Sequence, residues 1–140
     1  MHNLEPDVGG RLIPGQSGRQ SDYLPSLARI VQRLVEVRQR HKHLKLLFGL
    51  TSPWICDESQ DAIIRGLNVQ ARKLMANASI PIVDLHAAVV GRCGAAPQKT
   101  CLNLTGGGCP HYSNDGYEWI ANSTLVPAFK EQLAAVEIAV

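Results

Sequence analysis

The sequence predicts an α/β fold built on a parallel sheet, and three observations predict it. Two short, nearly continuous apolar runs, "LKLLFGLT" (44–51) and "IPIVDL" (80–85), have the composition of strands buried on both faces. Stretches with apolar residues at helical spacing precede, separate and follow them. The order is helix, strand, helix, strand, helix, loop, helix. The 140-residue chain, 45% hydrophobic and 19% charged, is long enough to bury the core of one ordinary domain.

Each element has its own signal. Residues 1–20 include "VGGRLIPGQSGRQ", punctuated by Gly and Pro with no apolar period, and read as a loop. Ser21 and Asp22 then offer an N-cap. Leu24, Leu27, Ile30, Val31, Leu34, Val35 and Val37 follow at helical spacing, to about residue 42. The first strand, 44–51, is ended by Ser52-Pro53. "DESQDAIIRGLNVQARKLMANA" (57–78) opens with acids suited to the positive end of a helix and carries Ile63, Ile64, Leu67, Ala71, Leu74 and Met75 on one face. After the second strand, Asp84 caps the helix "LHAAVVGRC", and residues 93–113 form a loop. From Asn114-Asp115 a last helix runs through Trp119, Ile120, Leu125, Phe129 and Leu133, with Pro127 expected to kink it or divide it in two.

Two fully buried parallel strands cannot make a free-standing sheet, because each needs neighbours along its edges as well as helices on its faces. Parallel pairing also leaves the first helix with no strand before it. The expectation is therefore the C-terminal part of a larger, doubly wound domain. Its architecture would be flavodoxin-like, three-layer α/β/α. In this division 1–20 is a loop and 21–137 an α/β core, with a histidine block at 106–121.

Charge and composition exclude several classes. A net charge of +2 is too small for a nucleic-acid surface, and the one dense basic run, "RQRHKHLK" (38–45), reads as a solvated helix end. His41 and His43 belong to that end. No apolar run approaches the roughly 20 residues that span a bilayer. "MHNLEPDVGG" has neither the basic nor the apolar region of a signal peptide. Two features nevertheless point to a secreted or lumenal setting. The cysteines, Cys56, Cys93, Cys101 and Cys109, are even in number. Three asparagines, Asn77, Asn103 and Asn122, stand in N-x-[S/T] acceptors. The absence of a leader then suggests that the native N-terminus lies upstream.

Ligands of a doubly wound sheet bind beyond the carboxyl ends of its strands. Thr51-Ser52-Pro53-Trp54, Asp84-Leu85-His86 and the 93–113 loop fall there. "HYSNDGY" (111–117) sets a histidine just before a helix, fixed by the scaffold yet open to the cleft, as a catalytic imidazole must be.

"HYSNDGYEWIA" resembles the final block of SGNH/GDSL-type esterases, in which a catalytic His precedes a short polar turn, Gly-Tyr and a closing helix. The resemblance continues upstream in order: "LKLLFGLTSPW" is similar to the family's apolar strand ending in Thr-x-Pro. "GLNVQARKLM" resembles its Asn-x-x-Ala helix and "IPIVDLHAAV" its strand ending in Asp-Leu. "HNLEPD" is similar to its third block. The resemblance implies an esterase acting on a carbohydrate or lipid ester through a Ser–His–Asp arrangement. Backbone amides and an Asn side chain would hold the oxyanion. No metal and no cofactor are expected. His111 maps onto the catalytic base. Asn3 is the candidate oxyanion Asn with Leu4 in place of Asp; alternatively His2-Asn3 stands for the His-Asp of a variant block.

The departures from the family are specific. No serine stands in a Gly-Asp-Ser block: Ser17 and Ser21 lie in the opening loop, Ser52 follows a different strand, and Ser113 belongs to the histidine's own block. The acid normally three or two residues before the histidine is replaced by Gly108 and Cys109, leaving a backbone carbonyl or Asp84 as substitutes. The competing expectation is a non-catalytic binding module or an inactive truncated product. Asp84 and His86 otherwise read as a helix cap and a surface histidine. Cys93, Cys101, Cys109 and His111 lack the C-x₂₋₄-C spacing of a zinc knuckle, so disulfides are favoured. Cys93–Cys101 with Cys56–Cys109 is one of three pairings. Trp54 and Trp119 read as core or cleft-wall residues.

Overall fold

The computed structural model describes residues 20–96, 101 and 111–137. In chain order it forms α1 (Gln20–Arg40), β1 (Phe48–Gly49), α2 (Glu58–Asn77), β2 (Ile82–Val83), α3 (Leu85–Cys93) and α4 (Asn114–Ile120). A wide π turn (Ala121–Leu125) leads on into α5 (Val126–Glu137). β1 and β2 pair in parallel, Phe48 opposite Ile82 and Gly49 opposite Val83. The ladder is extended by Phe48 N–H to the Pro81 carbonyl at 3.0 Å and Leu50 N–H to the Val83 carbonyl at 2.9 Å.

This corrects the expected flavodoxin-like three-layer architecture. About 70% of the described residues are helical, and the sheet among them has two strands of two residues each. The apolar runs at 44–51 and 80–85 supply core side chains rather than a broad sheet. Val31, Met75 and Ile80 form one buried cluster, with Leu46, Phe48, Leu74 and Ile82 packed against it. Such a run satisfies a buried strand and a buried irregular segment equally well, so periodicity alone does not separate them.

α2 is the central helix. Asp57 caps it, accepting the Gln60 N–H at 3.0 Å. Ile64, Leu67, Ala71 and Met75 lie on its buried face, as the spacing predicts. Burying each of the larger of these side chains is worth roughly 1.5–3 kcal/mol. The turn after α2 is closed from α1: the Arg38 guanidinium donates to the carbonyls of Ala78 (3.0 Å) and Ser79 (3.2 Å), while Ser79 adopts a left-handed φ of 51°. α1 is less buried than its pattern suggests. Val31 is enclosed, but Ile30 and Leu34 are exposed.

Asp84 caps α3 as expected, accepting the Ala87 N–H at 2.9 Å, and Gly94 ends it with a φ of 81° that favours glycine. Cys93 and Cys101 form a disulfide. Cys56 is disulfide-bonded as well, whereas Cys109, its partner in the pairing considered from sequence, lies outside the described residues.

Near Pro127 the last helix is neither regular nor broken: a π turn joins α4 to α5. The register widens just before the proline, so that the Val126 N–H bonds to the Ala121 carbonyl five residues back. The slip accommodates an imino acid that has no N–H to give. Thr124 Oγ1 donates to the Ile120 carbonyl at 2.6 Å within the same turn.

Candidate functional site at the carboxyl ends of the strands

Parallel pairing brings the segments that follow β1 and β2, Thr51–Trp54 and Asp84–His86, to the same end of the sheet. Both are then fixed by polar side chains of α2. Asn68, nearly buried, brackets Thr51: its Oδ1 accepts the Thr51 N–H at 3.0 Å and its Nδ2 donates to the Thr51 carbonyl at 2.7 Å. Two turns earlier on the same helix, the Asp61 side chain is only 1% exposed. It accepts the Trp54 N–H at 2.9 Å and the Arg65 guanidinium at 2.8 Å. The ring Nε2 of His86, second residue of α3, approaches the same carboxylate at 3.1 and 3.2 Å. A carboxylate can only accept, so Nε2 carries the proton in this pair.

The histidine block reaches this end through Tyr112. The Tyr112 ring is buried with Ile55, Val89 and Ile120, and its hydroxyl donates to the Pro53 carbonyl at 3.1 Å. Burial pushes the phenol up to about 12. The Ser52 side chain, hydrogen-bonded to it, opposes that shift, while the nearby Asp61 and Tyr117 charges add to it. The Tyr112 and Tyr117 rings meet edge to face, with centroids 5.5 Å apart. Ser113 caps α4, accepting the Gly116 N–H at 3.1 Å. His111 thus stands one residue from a buried anchor and two from a helix cap, its own side chain exposed to solvent.

The expected site residues meet this arrangement unevenly. Among the described residues no side chain hydrogen-bonds or pairs with His111, and the positions of its expected acid, Gly108 and Cys109, lie outside them. Asn3, like His2 and Leu4, also lies outside the described residues. Asp84 does not substitute as the acid. One of its oxygens caps α3 and the other pairs with Arg72. His86 is not the surface histidine expected; with its side chain 15% exposed it is held against Asp61. Ser52 is engaged with Tyr112. Trp54 is core, and Trp119 lies under the Arg92 guanidinium, 4.7 Å from the ring centre. His41 and His43 are exposed beyond the end of α1.

Asp61 and Asn68 were the residues that sequence reasoning missed. Their signal was present: Asp61, Ile64, Asn68, Ala71 and Met75 recur at alternating spacings of three and four, so two polar residues stand on the apolar stripe of α2. A buried polar residue is bonded to something. Here that something is the backbone of the segment leaving β1.

With Cys93 and Cys101 bonded to each other, neither offers a thiolate to a metal. Among the described residues no three His, Cys, Asp or Glu side chains gather to hold one, and no helix is long and apolar enough to cross a membrane. No protein-family model matches this chain, and neither a curated protein nor a solved structure does.

Proposed function

We propose that this chain carries the base-bearing part of an SGNH-like ester-hydrolase site, acting on a carbohydrate or lipid ester in a secreted or lumenal setting. His111 is the general base that takes the proton from an attacking hydroxyl and returns it to the leaving alcohol. The observation that carries the reading is the Tyr112 anchor. A buried ring and a hydrogen bond to the Pro53 carbonyl hold the residue beside His111 against the segment that leaves β1. Ligands of parallel sheets gather at the carboxyl ends of strands. Disulfide bonding at Cys56, Cys93 and Cys101 suits the proposed compartment.

The reading requires a nucleophile, and none of the chain's serines stands in a Gly-Asp-Ser block. The nucleophile is then supplied by polypeptide that accompanies these residues. The test has two arms, a reading of the transcript upstream of Met1 and p-nitrophenyl acetate hydrolysis. An in-frame Gly-Asp-Ser block after an apolar strand is expected. The extended product should lose activity on the order of 10⁴-fold or more on His111→Ala. The 140 residues alone should match their own His111→Ala control. A stop codon with no such block sinks the enzyme reading, and a His111-dependent rate from the 140 residues alone disproves the missing nucleophile.

A second reading, a non-catalytic binding module or an inactive truncated product, is favoured by one observation. His111 is exposed and bonds to no carboxylate or hydroxyl among the described residues.

A further inference from the structure

We propose that Asn77 is an N-glycan acceptor, and that backbone geometry selects it over Asn122. Both head an N-x-[S/T] tripeptide whose residues the structure describes, Asn77-Ala78-Ser79 and Asn122-Ser123-Thr124, and both asparagines are exposed. Their surroundings differ in the feature the transfer depends on. The acceptor amide and the hydroxyl two residues later must be presented together to the transferring enzyme.

Within a helix, residues two apart point in divergent directions, roughly 200° around the axis. Asn122 and Thr124 lie inside a helical segment that runs unbroken from Asn114 to Glu137. The Thr124 hydroxyl is also committed, donating to the Ile120 carbonyl at 2.6 Å. Asn77, by contrast, is the last residue of α2. The chain leaves the helix at Ala78 (φ −89°, ψ 1°) and reverses at Ser79 (φ 51°). Ser79 is exposed, and its hydroxyl has no partner among the described residues. The turn is held in place through its carbonyls, by Arg38, rather than through the side chains that a glycosylating enzyme would use.

The chemistry is a glycosyl transfer from a polyprenyl-diphosphate-linked oligosaccharide. Asn77 Nδ2 attacks the anomeric carbon and a C–N bond forms. The bond from that carbon to the diphosphate oxygen breaks, the lipid diphosphate leaves with the electron pair, and the amide gives up one proton. The tripeptide lies where α2 turns into β2, at the amino ends of the parallel strands. A glycan there points away from Thr51–Trp54 and Asp84–His86 at the opposite end.

The inference rests on the secretory setting proposed above, and the test separates the two. The full chain is expressed in eukaryotic cells behind a cleavable secretion signal. The secreted protein is treated with peptide-N-glycosidase in ¹⁸O water and occupancy is read peptide by peptide. Asn77 should be occupied in most molecules and Asn122 in few. Asn77→Gln and Ser79→Ala should each abolish the Asn77 tag, and Asn122→Gln should leave it unchanged. An empty Asn77 in the secreted chain overturns the acceptor, and equal occupancy of Asn77 and Asn122 overturns the selection by backbone geometry. Localising the untagged native chain is a separate measurement. If it stays in the cytosol, the compartment fails whatever the acceptor does.

Discussion

Two regions of the described chain treat their side chains in opposite ways. Around the carboxyl ends of β1 and β2, polar groups are buried and bonded: Asp61 to Trp54, Arg65 and His86, Asn68 to Thr51, Tyr112 to Pro53. Along α5, apolar groups are left in solvent, with Val126, Phe129 and Leu133 spaced three and four apart and all exposed. The main contacts of α5 are with the wide turn it grows from. Order in the first region therefore comes from directed hydrogen bonds that admit few alternative arrangements. In α5 it comes mostly from helix continuity. The comparison teaches that the region suited to chemistry is the one whose backbone is pinned by side chains, and that apolar content is a poor guide to where this chain is rigid.

The sharpest way to break that contrast is at Asp61. Asp61→Ala removes the acceptor of a buried backbone N–H and leaves His86 without its partner. The expected loss is about 3 kcal/mol, the low end for breaking a buried pair because half-exposed Arg65 can return to water. Asp61→Asn keeps an oxygen for Trp54 and should cost less. Urea midpoints for the two variants check both. A loss at Asp61→Ala no larger than that of a surface change would show that the buried network contributes nothing.

Tyr112→Phe is the next step down, expected to cost about 1–2 kcal/mol for the hydrogen bonds its hydroxyl makes to Pro53 and Ser52. It also carries a pH signature. Burial raises the phenol from 10.0 to about 12, so the folded state keeps a proton that the unfolded chain releases. That contribution is whole below pH 10 and is lost as pH rises through about 12. Tyr23, also raised by burial, adds to the same alkaline loss. Unfolding curves on either side of pH 10 should therefore show a smaller alkaline decline in Tyr112→Phe than in the parent chain.

The smallest effect is expected on α5, where Phe129→Ser and Leu133→Ser should each stay within about 0.5 kcal/mol of the parent. Binding of the dye ANS should fall, since exposed apolar surface has been removed. A substantial destabilisation would mean that the stripe is covered in solution, and would erase the contrast between the two regions.

Legibility in the sequence follows the same line. The buried face of α2, its acidic first turn, the Asp84 cap and the positions of both strand segments were readable, because each is set by residues close together in the chain. Strand length was not readable. "LKLLFGLT" and "IPIVDL" have strand composition throughout, but pairing needs a neighbour, and only two residues of each form the ladder. The Asp61–His86 pair joins residues 25 apart, and an acid in the first turn of a helix already had a sufficient local explanation in the helix dipole. Tyr112 was quoted within its block without a role, since only the folded chain shows that its hydroxyl meets Pro53.

That last contact has a consequence for the order of assembly. Tyr112 and Pro53 are 59 residues apart, and the entropy of closing a loop rises, slowly, with its length. Helix α2 and its cap need only neighbours and can form early, whereas the tether waits until the intervening chain has collapsed. His111 thus reaches the carboxyl ends of the strands only once this long-range tether has closed. A nascent chain would hold its candidate base away from the rest of the site until the scaffold that orients it was already in place.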